Sequence, residues 1–303
     1  MDREKQILFI YNRHSGKKQT ANRLADLMDL FCQEGYLLTS YSTQCRGDAT
    51  RIAAEEGVHY PLVICSGGDG TLSEVVNGLL RIPEEQRPSI GYIPSGSTND
   101  FAATLSLPTD LLECARIILR RNARKLDVGM FCNKRAFVYV AAFGAFTETS
   151  YATPQAEKNL LGYHAYVLHG LKELVNLRSY PMQVTMDGKT VEGDFLYGMV
   201  YNANSVGGFR NLSAQPARLD DGQLDILLVK APETTADWPA WVSALMGKKS
   251  DPKYFISAKA KDISFSCDEP VDWVLDGEYG GSCKNVQIDT LHREINVLVA
   301  KKE

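Results

Sequence analysis

The apolar run Leu62-Val63-Ile64-Cys65 leads into Gly67-Gly68-Asp69-Gly70-Thr71, and that into Leu72-Ser73-Glu74-Val75-Val76-Asn77-Gly78. A buried strand, a glycine turn and the start of a helix, in that order, constrain the fold more than any other stretch. This arrangement aims bare backbone N–H groups at an anion. Glycines let the chain turn tightly and let a phosphate approach without meeting a Cβ. Thr71 adds a hydroxyl donor. Asp69 repels a phosphate unless a cation stands between them, so an acid in this loop points to a nucleotide with Mg²⁺. The plainer reading is a glycine turn with no ligand.

The surrounding pattern repeats the theme. Ile7-Leu8-Phe9-Ile10 is a short apolar run closed by Asn12-Arg13-His14-Ser15-Gly16. Leu24, Leu27, Met28 and Phe31 then recur at i, i+3, i+4 and i+7, the spacing of one helix face. A strand is expected over 37–42 and a helix over 48–56. Ile90-Gly91-Tyr92-Ile93-Pro94 is a further strand ending at Ser95-Gly96-Ser97-Thr98-Asn99-Asp100-Phe101, and 111–121 carries an apolar helical face. Strands alternating with helices predict a layered α/β domain with a mainly parallel sheet. Ligands of such sheets bind beyond the carboxyl ends of the strands. The loops 12–16, 67–71 and 96–100 all lie at that end.

The texture changes after about Asp127. Short strands are expected over 136–142, 182–186, 195–201, 224–229, 263–266, 273–275 and 295–299. One long helix, 156–177, interrupts them, with Val167, Leu171 and Leu174 on one face. This predicts an antiparallel, β-sandwich-like second domain, with the active site in the cleft between the two. The expected boundaries are 1–127, completed by 293–303, and 128–292.

Composition removes several function classes. A net charge of −4 gives no global basic field, so nucleic acid is not an expected partner. Seven cysteines without a CxxC pair argue for free thiols in a reducing cytoplasm, against zinc and against a disulfide frame. The opening Met1-Asp2-Arg3-Glu4-Lys5 has no signal-peptide apolar region. Apolar stretches such as 137–146 fall short of the roughly 20 residues of a spanning helix, so any membrane contact is expected at the surface. A Walker-type GxxxxGK[ST] motif is missing, as is a GxGxxG opening a βαβ unit. The five histidines have no HExxH spacing, and His14 reads as a solvated loop residue. Lys17 and Lys18 can balance phosphate charge or simply solvate a helix start.

Two acidic clusters are more pointed. In Leu275-Asp276-Gly277-Glu278 the acids are two apart, so along an extended strand they face the same way and share one site. Paired carboxylates make a usable proton acceptor, which phosphoryl transfer to an alcohol requires. An Asp-Gly hairpin turn is the equally available plain reading. Asp220-Asp221-Gly222 offers Asp221 as a hard-cation ligand beside the carbonyls of Arg218 and Gln223, and a turn before 224–228 is the plainer alternative.

Taken in order, these motifs resemble the catalytic domain of the diacylglycerol kinase family, in particular its soluble bacterial lipid kinases. The resemblance rests on Asn12-Arg13-His14-Ser15-Gly16, Gly67 to Thr71, Pro94-Ser95-Gly96-Ser97-Thr98-Asn99-Asp100-Phe101, Asp221-Gly222-Gln223-Leu224 and Asp276-Gly277-Glu278, and spans nearly the whole chain. It implies an ATP-binding α/β domain followed by a β-rich lipid-substrate domain. It implies nucleotide contacts from Asn12, Ser15, Gly16, Thr43, Gly67, Gly68, Asp69, Gly70, Thr71 and Ser97. It implies an acidic, water-linked network of Asp69, Asp100 and Asp127 around a catalytic Mg²⁺, and a structural metal held by Arg218, Asp221 and Gln223. Asp276 is then the proton acceptor, assisted by Glu278. The resemblance also implies a cytoplasmic homodimer, peripheral at the inner face of the membrane. Three departures stand out: Arg13 replaces a usual proline, Ser97 a threonine, and Ser73 an asparagine.

Trp238, Trp241, Val242 and Leu245 recur at helical spacing before Lys248, Lys249 and Lys253. An aromatic amphipathic helix with a basic flank can lie in a lipid interface, but the pattern more commonly packs into a core. The expected function is an ATP- and Mg²⁺-dependent kinase acting on the hydroxyl of diacylglycerol. Alternatives are another lipid (a sphingoid base, ceramide or monoacylglycerol), an NAD kinase, and a non-catalytic nucleotide or lipid sensor. The segment 94–100 and the late Asp-Gly-Glu speak against NAD kinase. The presence of Asp69, Asp276 and Glu278 speaks against the sensor.

Overall fold

The computed structural model describes residues 3–16, 19–144, 178–206, 209–210, 217–237, 241 and 253–301. They fall into two compact units: residues 1–139, 202–223 and 289–303 form the first, and 140–201 and 224–288 the second.

The first unit alternates strand and helix: β1 (Gln6–Tyr11), α1 (Gln19–Gln33), β2 (Leu37–Ser42), α2 (Asp48–Glu56), β3 (Leu62–Gly67), α3 (Asp69–Leu79), β4 (Ser89–Pro94), α4 (Asp100–Thr104) and α5 (Leu111–Leu119). β5 (Ala123–Phe131) and β6 (Arg135–Phe137) follow as an antiparallel pair. β2, β1, β3 and β4 lie side by side in parallel register, for example Phe9↔Ser40, Phe9↔Ile64 and Ile64↔Gly91. β1 and β3 read as continuous apolar runs because helices cover both of their faces. On one side, Leu27 and Phe31 of α1 and Leu111, Ala115 and Ile118 of α5 pack over Ile7, Phe9, Leu62, Ile64 and Ile93. On the other, α2 and α3 pack together and contact β1 and β3. Local chemistry sets the helix ends: the Asp110 side chain accepts the Leu112 and Glu113 N–H groups at 3.0 and 2.9 Å and caps α5.

The second unit is antiparallel. It holds β7 (Val140–Gly144), β8 (Tyr180–Met186) and β9 (Lys189–Tyr201). The chain then passes through β10 (Ser205–Val206) and β11 (Phe209–Arg210) of the first unit and continues with β12 (Leu224–Lys230), β13 (Phe255–Ala260), β14 (Asp262–Leu275) and β15 (Glu278–Leu298). β9 is long enough to pair with β8 along its first half and with β7 along its second. β14 does the same, so β7 and β8 lie in series between the two long strands. Trp273 centres the core, with ring centroids 5.0 Å from Phe143 and 4.9 Å from Phe265. The final residues of β15 lie in the first unit, where Val297 pairs in parallel with Ile90.

Several expected elements change. The strand expected over 136–142 is two strands, because Val138 and Tyr139 separate β6 from β7. The strands expected at 263–266 and 273–275 are one, β14, whose polar middle (Asp268, Glu269, Asp272) is solvent-facing and hides its continuity. β13 was not anticipated. Residues 202–223, which texture alone groups with the β-rich half, belong to the first unit. There Asn202 Nδ2 donates to the carbonyls of Asp127 and Leu219 at 3.0 and 3.4 Å. The helix expected over 156–177, together with Lys17, Lys18, Trp238, Val242, Leu245, Lys248 and Lys249, lies outside the described residues. Trp241 is described, and it is core: 2% exposed, packed with Leu196, Val229 and Tyr254, its Nε1 donating to the Lys230 carbonyl at 2.9 Å.

Candidate active site

Three loops of the first unit meet at the carboxyl ends of β1, β3 and β4. The Asn12 N–H donates to the Ser66 carbonyl at 2.9 Å and the Ser95 N–H to the Gly67 carbonyl at 2.9 Å. Contact is close enough that side chains are excluded. A Cβ on Gly96 would sit 2.5 Å from the Gly68 Cα, and one on Gly16, whose φ is +53°, would run into the Ser95 carbonyl oxygen. Asn12 shapes its own loop, its Oδ1 accepting the His14 N–H at 2.9 Å. Asn99, with φ +52°, clamps Gly96 from both sides: Oδ1 accepts the Gly96 N–H and Nδ2 donates to the Gly96 carbonyl, both at 2.9 Å. Ser97 lies exposed in the same loop.

α3 begins at Asp69, and its first i→i−4 bond is Leu72 N–H to Gly68 carbonyl at 3.1 Å. The amides of Asp69, Gly70 and Thr71 therefore precede the helical ladder, the geometry that receives an anion. The Asp69 carboxylate is turned toward α4: Oδ2 accepts the Asp100 N–H at 3.0 Å and Oδ1 the Phe101 N–H at 3.2 Å. Its charge is thus spread over two backbone donors, which answers in part how an acid is tolerated in a phosphate loop. Thr43, 8% exposed, follows β2 with its N–H on the Tyr11 carbonyl at 3.0 Å. The next turn is tied to α3, because Glu74 accepts the Gly47 and Ala49 N–H groups at 2.8 and 3.1 Å.

Each acid of the expected network is held by backbone or side-chain donors. Asp69 and Asp100 are neighbours through the α4 amides, and Asp100 Oδ1 accepts the Ser205 hydroxyl at 2.6 Å. Asp127, on β5, sits in its own knot: Oδ2 accepts the Gly222 N–H at 2.7 Å, while Oδ1 takes the Arg293 N–H at 2.7 Å and pairs with His292 Nδ1 at 2.9 Å. This knot holds the loop that carries Arg218, Asp221 and Gln223. In that loop Asp221 Oδ1 accepts the Gln223 N–H at 3.3 Å, and Asp220 pairs with Arg124 at 3.1 Å. The hydrogen bond from Arg124 holds the Asp220 carboxyl below its ordinary range. Among the described residues, no three His, Cys, Asp or Glu side chains are grouped to hold a metal by themselves.

In the second unit, the expectation that Asp276 and Glu278 share a face of an extended strand is corrected. β14 ends at Leu275 and β15 starts at Glu278, so Asp276 (φ +51°) and Gly277 (φ +80°) form a two-residue hairpin turn. Positive φ at both central positions is what such a tight turn demands of a right-twisted hairpin. Asp276 is nevertheless 3% exposed, with its Oδ1 accepting the Val140 N–H at 3.2 Å. Glu278 is half-buried beside it in sequence.

Glu74, Ser205 and His292 are not among the expected site residues, and Asn99 enters there only as part of the 94–101 motif. The Asn99 side chain does not cap α4; its positive φ and its grip on Gly96 are those of a loop asparagine.

Residues 6–131 match the family model described as the diacylglycerol kinase catalytic domain. Residues 143–299 match the YegS C-terminal NAD kinase beta sandwich-like domain. A diacylglycerol kinase of Bacillus subtilis (strain 168) is 36% identical over 301 residues, covering 99% of this chain and 98% of its own. One from Staphylococcus aureus (strain MRSA252) is 35% identical, covering 91% and 87%. A crystal structure of a diacylglycerol kinase from Bacillus anthracis str. Sterne superposes with a TM-score of 0.75 at 25% identity, covering 98% of this chain and 97% of that one. Fold and glycine loops thus define an ATP-dependent phosphotransferase with a catalytic unit and a β-sandwich-like unit. The chain belongs to the diacylglycerol kinase family.

Proposed function

We propose that this protein transfers the γ-phosphate of ATP to the free hydroxyl of diacylglycerol, giving phosphatidic acid. The observation that carries this reading is the meeting of three glycine-bearing loops at the first amides of α3, beside the buried acids Asp69 and Asp100. Asn12, Ser15, Gly16, Thr43, Gly67 to Thr71 and Ser97 bind the nucleotide. Backbone N–H groups meet the phosphates, and the Gly68–Gly96 contact, which a Cβ would fill, keeps the approach open.

A Mg²⁺ arriving with ATP would be held by one or two carboxylates. Asp69 and Asp100 have that donor chemistry, and Asp127 supports it from its own knot. The ion supplies charge neutralisation on the transferring phosphoryl group. Arg218 and Gln223 carbonyls with the Asp221 carboxylate suit a second, structural cation of the same hard kind. Asp276 accepts the proton leaving the lipid hydroxyl, with Glu278 assisting.

The acceptor is a membrane lipid, and no described helix is long and apolar enough to cross a bilayer. That the enzyme works peripherally, as a cytoplasmic homodimer at the inner membrane face, is supported by the resemblance to bacterial family members alone.

The test is phosphate transfer from radiolabelled ATP to diacylglycerol in mixed micelles with Mg²⁺. Labelled phosphatidic acid from the wild type, and about 10²–10⁴-fold less turnover from Asp276→Asn, is the expected result. No labelled phosphatidic acid, with transfer instead to sphingosine, ceramide, monoacylglycerol or NAD, overturns the acceptor.

A further inference from the structure

We infer that Ser205 is a positioning residue that sets the Asp100–Asp69 acid pair for a cation-bound nucleotide, an inference that rests on the kinase reading above. Ser205 lies 105 residues downstream of Asp100, in the stretch where the chain leaves β9 and rejoins the first unit. Its Oγ donates to Asp100 Oδ1 at 2.6 Å, the short separation of a hydroxyl on an ionised carboxylate. Both residues are buried, Ser205 at 3% and Asp100 at 2% exposure. Backbone and side-chain bonds hold the donor in place. The Asn204 N–H donates to Thr104 Oγ1 at 3.1 Å, and Asn204 Oδ1 accepts the Ala217 N–H at 2.6 Å.

The same short stretch therefore grips both ends of α4, Asp100 at its start and Thr104 at its finish. Asp100 in turn gives its backbone N–H to Asp69 Oδ2, so Ser205 holds the Asp100 side chain while the Asp100 backbone holds Asp69. A carboxylate turns easily about its terminal torsion, and a fixed hydroxyl donor sets its plane. Ser205 acts through the Asp100 carboxylate. It decides whether the acid pair presents its oxygens to a cation that arrives with ATP, so its loss is felt in the metal-dependent part of binding.

The test is calorimetric titration of ATP into the full chain with and without Mg²⁺, for the wild type, Ser205→Ala and Ser205→Thr. The expected result is that all three bind metal-free ATP alike. Ser205→Ala loses about tenfold of the affinity gain that Mg²⁺ confers, the scale of one hydrogen bond to a charged group, and Ser205→Thr keeps it. A gain in Ser205→Ala equal to the wild type overturns the inference and leaves the kinase reading intact. A wild type that binds no ATP overturns the kinase reading, and the inference with it. If Ser205→Ala does not fold, Ser205→Cys, similar in size with a weak donor, replaces it under the same outcomes.

Discussion

Asp276 and Val140 exchange two hydrogen bonds: the Asp276 N–H donates to the Val140 carbonyl at 2.9 Å, and the Val140 N–H donates to Asp276 Oδ1 at 3.2 Å. The acid is thus held in a left-handed turn conformation by its backbone and aimed by one of its own oxygens. Asparagine tolerates positive φ and keeps the acceptor oxygen, so Asp276→Asn removes the charge while sparing the turn. Thermal unfolding should change little and ATP binding should persist. Turnover should fall by about 10²–10⁴-fold if Asp276 is the proton acceptor. Full turnover in this variant would remove Asp276 from the chemistry.

Gly96 tests the loop convergence. A methyl there meets the Gly68 Cα at 2.5 Å, a backbone atom that cannot rotate away. Gly96→Ala should cost about 1–3 kcal/mol in urea unfolding, as overpacking does. It should also weaken ATP binding measured by calorimetry, because the two loops must separate. Wild-type affinity in a destabilised variant would mean that the contact serves stability alone.

Asp220 and Arg124 give the fold a pH dependence with a defined sign. The folded-state pKa of Asp220 lies below its ordinary 3.8, the hydrogen bond from Arg124 being the main cause. A depressed carboxyl stabilises the fold fully above that ordinary value, and the contribution disappears as pH falls below 3.8 through the lowered value. The pair is about one-third exposed, so solvent screening limits it to about 0.2–1 kcal/mol. Asp220→Asn should be less stable than the wild type in urea at about pH 7, and the gap should narrow as pH falls below 3.8 and close only below the lowered folded-state value. An unchanged gap would show that the amide loses something other than charge.

Trp241 distinguishes a core from a lipid-facing aromatic. Its ring stacks at 6.4 Å and 27° on Phe255, and its indole N–H donates to Lys230. Trp241→Ala should cost about 3–5 kcal/mol on chemical unfolding, and Trp241→Phe about 1 kcal/mol for the lost hydrogen bond. Binding to anionic vesicles should be the same for Trp241→Phe and the wild type. The reverse pattern, unchanged stability with weaker vesicle binding, would place the residue in a membrane face.

The legible parts of this protein are those in which neighbouring residues set one another's geometry. Ile7 to Ile10 and Leu62 to Cys65 are apolar on both faces, which only a strand between two helical layers accommodates. Gly67-Gly68 and Gly96 mark loops that must approach without side chains. Asp276-Gly277 carried two readings, an extended strand and a tight turn. The turn prevailed because the hairpin closes with only two residues, and the period-two argument does not apply across them.

Sequence by itself determined the alternating strands and helices of the first unit, its three polar loops, and the acids those loops contain. Steric freedom and hydrophobic periodicity act over a few residues and survive in a linear text. Only the tertiary structure decided which acids have which partners. Asp127 draws its donors from positions 95, 165 and 166 residues away, and Asp100 its hydroxyl from 105 residues away. Such pairs form because the fold brings distant segments to one place and a buried carboxylate must then be satisfied, a demand that no local pattern records.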